Sequence, residues 1–335
     1  MSYMLSVIIP VYQVEDYLEK CIDSVIREKA FLDGKAEVIL VDDGSKDNSG
    51  LICDKYSNEH KNISVIHKEN EGLSAARNTG IMAAKGKYLF FLDSDDYITE
   101  NALSNILEKA EEDSDVIICR LLTDDAVTGE ICEPEESLDD EKISSLRNEE
   151  LLNYLTTGRN YGWYAIKNII KKEFLIKNSL FFEVGRLFED ALWTPGVLYC
   201  AEKLSYIDTP VYVYFINRVG SIVRQVSKKA CFDKINVLRS ISDFCDNNAL
   251  SIETKNKMLA NVSQIYVSIL ADSRLLDKKS KKELLNESKK YVNAIKYSIQ
   301  KYKRILYFAH KFIGINGISF ILYLRAEYVR HKNSK

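Results

Sequence analysis

Five short apolar runs, rich in branched residues, punctuate the first 120 residues, at about 5–9, 37–41, 63–66, 88–92 and 115–119. Between them apolar residues recur at helical spacing, as in Leu18, Cys21, Ile22, Val25 and Ile26, which would share one helix face. Continuous apolar runs are what strands buried on both faces need, and strands alternating with helices predict an open, mostly parallel sheet with helices on both sides. In such sheets ligands bind outside the carboxyl ends of the strands. The polar clusters fall there: Tyr12 to Glu15 after the first run, Asp42 and Asp43 after the second, Asp93 to Asp96 after the fourth. Further helices are expected after Asp47, over 73–84 and after Thr99, which could cap it. Residues 123–150 read as an acidic surface excursion, 180–182 and 210–216 as strand-like, 189–200 as helical, and 228–300 as two or three amphipathic helices.

The acids carry the most chemical information. Asp93-Ser94-Asp95-Asp96 puts three carboxylates in four residues directly after an apolar strand. Side chains alternate along extended chain, so Asp93 and Asp95 point to one side. Like charges so placed repel unless a cation or hydrogen-bond donors compensate. A hard divalent ion held by one or two carboxylates and a diphosphate would do so, whereas the plain alternative is a solvated acidic turn. Asp42 and Asp43 could accept hydrogen bonds from a ribose or base, or could simply form an Asx-turn.

Four stretches appear in order: Ser6-Val7-Ile8-Ile9-Pro10-Val11-Tyr12, Val41-Asp42-Asp43-Gly44-Ser45, Asn70-Glu71-Gly72-Leu73-Ser74 continuing through Arg77-Asn78, and Asp93-Ser94-Asp95-Asp96. Together they resemble the signature of family 2 glycosyltransferases of the bacterial surface-polysaccharide type. A fifth stretch, Phe188-Glu189-Asp190-Ala191-Leu192-Trp193, is similar to the segment that supplies that family's general base. The resemblance covers roughly residues 3–225. It implies a Rossmann-like GT-A catalytic domain over 1–225, with a mainly helical region following over 226–335. It implies inverting transfer of a sugar from a nucleotide diphosphate, a UDP-sugar favoured, to a hydroxyl of a glycan or lipid-linked acceptor. Pro10, Tyr12, Glu15, Asp42, Asp43, Arg77, Asp93 and Ser94 would contact the nucleotide-sugar, Asp95 with Asp93 would hold Mn²⁺ or Mg²⁺, and Asp190 would be the base. Asp190 also opens a predicted helix, where the dipole favours a carboxylate. Trp163, Tyr164 and Trp193 are either platforms for an acceptor sugar or core aromatics.

Other features bound the alternatives. Seven scattered cysteines without a C-x-x-C pair fit reduced structural thiols, and four histidines lack ligand spacing. No G-x-G-x-x-G or G-K-[ST] follows a strand, which argues against dinucleotide and P-loop chemistry. A nucleotidyltransferase would want a glycine-rich phosphate loop where Pro10-Val11-Tyr12-Gln13-Val14 stands. A non-catalytic sugar-nucleotide-binding or acceptor-binding subunit stays open. Neither a signal peptide nor a stretch long and apolar enough to span a bilayer is expected, so the chain reads as cytoplasmic. Residues 281–335 carry thirteen Lys or Arg against three Glu, +10, leaving −13 of the total −3 for residues 1–280. Without a recognisable module this basic tail does not predict nucleic-acid binding. An apolar segment at 312–324 with basic flanks predicts either peripheral contact of residues 301–335 with an anionic membrane or packing on the protein.

Overall fold

A computed structural model describes residues 3–133, 137–159, 161–217 and 227–333, and the chain divides into two compact units. The first comprises residues 1–148 and 164–220, the second 149–163 and 221–335.

In the first unit the apolar runs become strands. β1 (Leu5–Val11) and β2 (Ala36–Asp42) are buried along their whole length, which is why their sequences do not alternate. β3 (Ile63–His67) pairs with β2, and β4 (Tyr88–Phe91) with β1, all in parallel. Helices α1 (Glu15–Ile26), α2 (Lys29–Leu32), α3 (Ser49–Glu59) and α4 (Leu73–Ala83) lie between these strands in sequence. α1 buries the face expected of it, Leu18, Cys21, Ile22 and Val25. α4 rides so close to β1 that a Cβ on Gly80 would lie 2.3 Å from Ile8 Cγ2, so a side chain there would lift the helix off the sheet.

Past β4 the sheet becomes mixed. β5 (Tyr97–Ile98), α5 (Ala102–Ala110), β6 (Val116–Asp125), β7 (Ile131–Cys132) and α6 (Asp140–Ser145) follow, then α7 (Asn148–Thr156). The unit is completed by β8 (Asn168–Lys171), α8 (Lys172–Lys177), α9 (Asp190–Cys200) and β9 (Leu204–Ile216). The strand order is β3-β2-β1-β4-β8-β6-β9-β5, with β7 on β6. β8 is antiparallel to both β4 and β6, and β9 is parallel to β6. Thr99 does not cap α5; its hydroxyl donates to Pro210 O, while the buried Glu28 carboxylate accepts from Asn101 N and Leu103 N. Residues 180–182 are not a strand. Asn78 takes the place of a neighbouring strand, donating from Nδ2 to Phe182 O at 2.8 Å and accepting from Phe182 N at 3.0 Å.

The second unit is helical: most of α7, then α10 (Lys228–Asn247), α11 (Ile252–Asn261), α12 (Ser263–Asp272), α13 (Lys278–Ser288), α14 (Asn293–Lys296) and α15 (Lys301–Asn333). That is more helices over 228–300 than the sequence predicts, and three of them, α10, α11 and α13, are capped by the side chains of Ser227, Ser251 and Asp277. Residues 149–163 belong here because Leu151, Leu152 and Leu155 are buried, Asn153 Nδ2 donates to Thr254 Oγ1, and Glu149 accepts from Ser251 N. α15 is broken at Gly314, whose φ of 64° and ψ of 178° are not helical. Lys301–Tyr328 is nevertheless long and apolar enough, by length and composition, to cross a membrane, which corrects the expectation of no such stretch.

Candidate active site

Three strand ends build one polar surface in the first unit. Asp43 N donates to Val11 O at 2.9 Å, which sets the end of β2 beside Pro10 and Tyr12 at the end of β1. Pro10 is buried and Tyr12 is 39% exposed. The buried Asp43 carboxylate binds the start of α4: Oδ2 accepts from Gly72 N at 2.7 Å, and Oδ1 from Glu71 N at 3.1 Å and Lys68 Nζ at 2.9 Å. Asp42 turns the other way, accepting from Ser45 N at 3.0 Å and pairing with His67 Nδ1 at 2.8 Å. Burial works to raise the Asp42 carboxyl, but the Ser45 and His67 hydrogen bonds prevail and hold it below its usual value. The same bond to Asp42, then the one to Asp54, raises His67. Glu15 accepts from both the backbone and the side chain of Asn48, bracing the start of α1 against the loop after β2.

Across the surface, the acidic turn after β4 is held from behind. Asp96, buried, accepts from Tyr212 Oη at 2.5 Å and from Phe215 N at 2.7 Å, and Tyr212 Oη in turn accepts from Asp93 N at 3.2 Å. Burial, then the charges of Asp95 and Asp93, push the Asp96 carboxyl well above its usual value. Asp96 is thus the turn's anchor. Ser94 is buried with it, while Asp93 and Asp95 stay half-buried at the surface.

Arg77, buried on α4, ties this turn to the start of α9. Its Nη2 donates to Asp93 Oδ1 and its Nη1 to Glu189 Oε1, each at 2.7 Å. Burial opposes the guanidinium's charge, but Asp93, Glu189 and Asp190 together raise its pKa further. Asp190, the first residue of α9, is pushed up to about 7, by burial first and by the Glu189 charge next, against the pull of Arg77. A carboxyl poised there suits proton transfer near neutral pH. The segment before α9 is fixed by Asn78 and by a stack of Phe182 on Trp193, centroids 4.1 Å apart. Trp193, with Nε1 donating to Leu180 O, is therefore a core residue, and Trp163 is buried in the second unit. Tyr164 is 39% exposed, 6.2 Å from Tyr214.

The structure thus groups Pro10, Tyr12, Glu15, Asp42 and Asp43 at one strand-end cluster, and Arg77, Asp93 and Asp190 at another, with Ser94 and Asp95 in the same acidic turn. It adds Glu189, Asp96, Asn78, Tyr212, His67 and Lys68. Glu189, Asp96 and Asn78 sit inside the motifs quoted above, but Tyr212 and His67 lie on strands, where spacing gave no hint of their partners. Among the described residues no cluster of three or more His, Cys, Asp or Glu could hold a metal ion.

The parallel strands of the sheet thus gather paired carboxylates, a buried arginine and a carboxyl poised near neutrality at their carboxyl ends, an arrangement suited to group transfer. Comparison with known proteins agrees: residues 6–183 match Glycosyl transferase family 2, and the chain belongs to that family. It is similar to the glycosyltransferase GlyG of Streptococcus pneumoniae serotype 4, 30% identical over 302 residues, 88% of this chain and 98% of that one. The minor teichoic acid biosynthesis protein GgaB of Bacillus subtilis is 32% identical over 231 residues, 68% of this chain but 24% of its own length. Residues 1–349 of S. aureus TarS, solved in complex with UDP-GlcNAc, share the fold with a TM-score of 0.65 and 20% identity, over 97% of this chain and 91% of that one. The protein is a glycosyltransferase with a GT-A fold.

Proposed function

We propose that the enzyme transfers a sugar from a UDP-sugar to a hydroxyl of a growing, lipid-linked surface glycan, with inversion at the anomeric carbon. One observation carries the reading: Arg77 bonds the acidic turn to the Glu189-Asp190 segment, which brings Asp190, pushed up to about 7, beside the turn where a diphosphate would lie. The TarS complex with UDP-GlcNAc supports the choice of donor, and the name of GgaB supports a cell-surface glycan as acceptor. Asp190 removes the acceptor proton as the oxygen attacks, and a single in-line displacement inverts the centre. Pro10, Tyr12, Glu15, Asp42 and Asp43 form the nucleoside end, Ser94 backs the turn, and Arg77 offsets part of the opposition that the Glu189 and Asp93 charges raise to the ionisation of Asp190.

The acidic turn fits a divalent ion. Asp93 and Asp95 offer hard oxygen ligands at a half-exposed site, and Mg²⁺ or Mn²⁺ commonly takes one or two carboxylates and completes its shell with phosphate and water. Asp95 would hold it, with Asp93 sharing its carboxylate between the ion and Arg77. When bound, the ion would act as a Lewis acid toward the leaving diphosphate. Contact of residues 301–335 with an anionic membrane would bring the enzyme to a lipid-linked acceptor, and nucleic acid is not among the partners proposed.

The test is thermal stabilisation by UDP-, GDP-, dTDP- and CMP-linked sugars, with and without Mn²⁺. A shift with UDP-sugars that needs the metal and is lost in Asp95→Ala supports the reading. Equal shifts with and without metal would remove the ion from it, and a shift with another nucleotide alone would replace the donor.

A further inference from the structure

We propose that α15 is a helical hairpin that lies in the plane of an anionic bilayer and anchors the second unit there without crossing it. This rests on the reading that residues 301–335 meet a membrane, and it specifies how. The first observation is the fold-back at Gly314. In an unbroken helix, Tyr302 and Arg325 would stand about 35 Å apart at 1.5 Å per residue. Instead the Arg325 guanidinium lies 4.6 Å from the Tyr302 ring centroid. The chain therefore folds back at Gly314, which brings the far parts of its two arms, 301–313 and 315–333, together. The first arm is about 20 Å long, too short for a hydrocarbon core of ~30 Å. The second arm carries Arg325 and Glu327 within its length.

One side of the hairpin is fixed to its own unit. Ile315, Ile318, Ser319 and Leu322 are buried. Arg274 donates from Nη2 to Asn316 O at 2.5 Å and from Nε to Ser319 Oγ at 3.1 Å, and the buried Lys303 donates to Ser263 Oγ at 3.0 Å. Crossing a membrane would break these bonds and carry Lys311 into hydrocarbon.

The exposed side is apolar. Phe308 and Phe312, one turn apart, are 60% and 87% exposed, and Phe320, Ile321 and Leu324 are exposed on the second arm. Exposed cations flank them: Lys301, Arg304, Lys311 and Arg325. Residues 301–335 hold eight Lys or Arg and one acid, Glu327, a net +7. Apolar side chains ringed by cations match the acyl boundary beneath an anionic headgroup layer, and that charge complementarity selects lipid over a second copy of this equally basic tail.

The test uses the full chain in flotation with vesicles of phosphatidylcholine, alone or mixed with phosphatidylglycerol. A C-terminal epitope is then probed with protease added outside. The proposal expects flotation with the anionic vesicles only, loss of binding in high salt, and an epitope that stays cleavable. Lys301→Glu with Lys311→Glu should weaken partitioning by about thirtyfold or more. Phe308→Ser with Phe312→Ser should weaken it by about tenfold or more. In both variants UDP-sugar binding and the helical circular dichroism signal should be unchanged, which shows that both units are folded. Flotation that resists high salt and alkaline extraction, with a protected epitope, would leave membrane contact standing and overturn the in-plane hairpin. Absence of flotation from any vesicle would overturn both. A concentration-dependent dimer abolished by the phenylalanine changes, without flotation, would assign the face to a second copy and likewise overturn the proposal.

Discussion

Arg77→Met tests the electrostatic argument at the centre of the site. The guanidinium serves two carboxylates that differ in burial: the Glu189 side chain is 8% exposed and that of Asp93 27%. Among the described residues its Nε–H has no hydrogen-bond partner, so its hydrogen bonding rests on these two bonds. After substitution Asp93 can turn to water, and its lost pairing should cost ~1 kcal/mol or less. Glu189 cannot, and stripping the partner from a buried ion pair costs ~3–5 kcal/mol. We therefore expect a loss of about 4 kcal/mol, most of it the unpaired Glu189 charge. Adding Glu189→Gln should then recover about 2 kcal/mol, because a neutral amide is cheaper to bury than a lone carboxylate. Urea denaturation followed by tryptophan fluorescence in a Trp163→Phe background reads the first unit alone, since Trp193 is the other of the chain's two tryptophans. Separating the units matters, because one unfolding free energy is not defined for two. If the losses from Arg77→Met and Glu189→Gln simply add, the cost does not come from the stranded charge and the reasoning fails.

Two further outcomes follow from buried groups. Tyr212→Phe removes the hydroxyl that donates to Asp96 and accepts from Asp93 N, and should cost ~1.5–3 kcal/mol while weakening donor binding, read by calorimetry; unchanged affinity would mean that the acidic turn holds its shape without Tyr212. Lys303 is lowered from 10.5 to about 8 by burial. Between those values the unfolded chain holds a proton that the folded one lacks, so wild-type stability rises with pH across that window. Lys303→Met should accordingly stabilise the protein by ~1–2 kcal/mol at pH 7, after the lost Ser263 bond is subtracted, and the advantage should shrink above pH 8. A gain independent of pH would assign the effect to packing.

The sheet was legible because its central strands are buried on both faces and read as unbroken apolar runs. The acids at their ends marked the candidate site for the same reason: in buried strands a polar cluster sits most readily where the strand leaves the core. β8 escaped notice because Asn168-Ile169-Ile170-Lys171 is too short to show a period. The reading of 180–182 as strand misled because Asn78 satisfies that backbone with a side chain. Roles within the acidic turn were less legible still. Nothing in Asp93-Ser94-Asp95-Asp96 says which carboxylate is an anchor, since that depends on Tyr212, more than a hundred residues away. The fold-back of the tail was hidden as well; glycine at 314 permits the positive φ that it adopts, and the Tyr302–Arg325 contact shows that the chain turns back there.

The most direct test of the central claim is turnover of a UDP-sugar by Asp190→Asn, with UDP affinity measured alongside across pH 5 to 9. The wild-type rate should climb as pH rises through about 7, the value to which burial and Glu189 push this carboxyl, because only the ionised form accepts a proton. Asp190→Asn should bind UDP normally and lose ~10²–10⁴-fold in rate, with the pH step gone. A variant that keeps near-wild-type turnover and the same pH step would contradict the account, and the base would have to be sought elsewhere in the site.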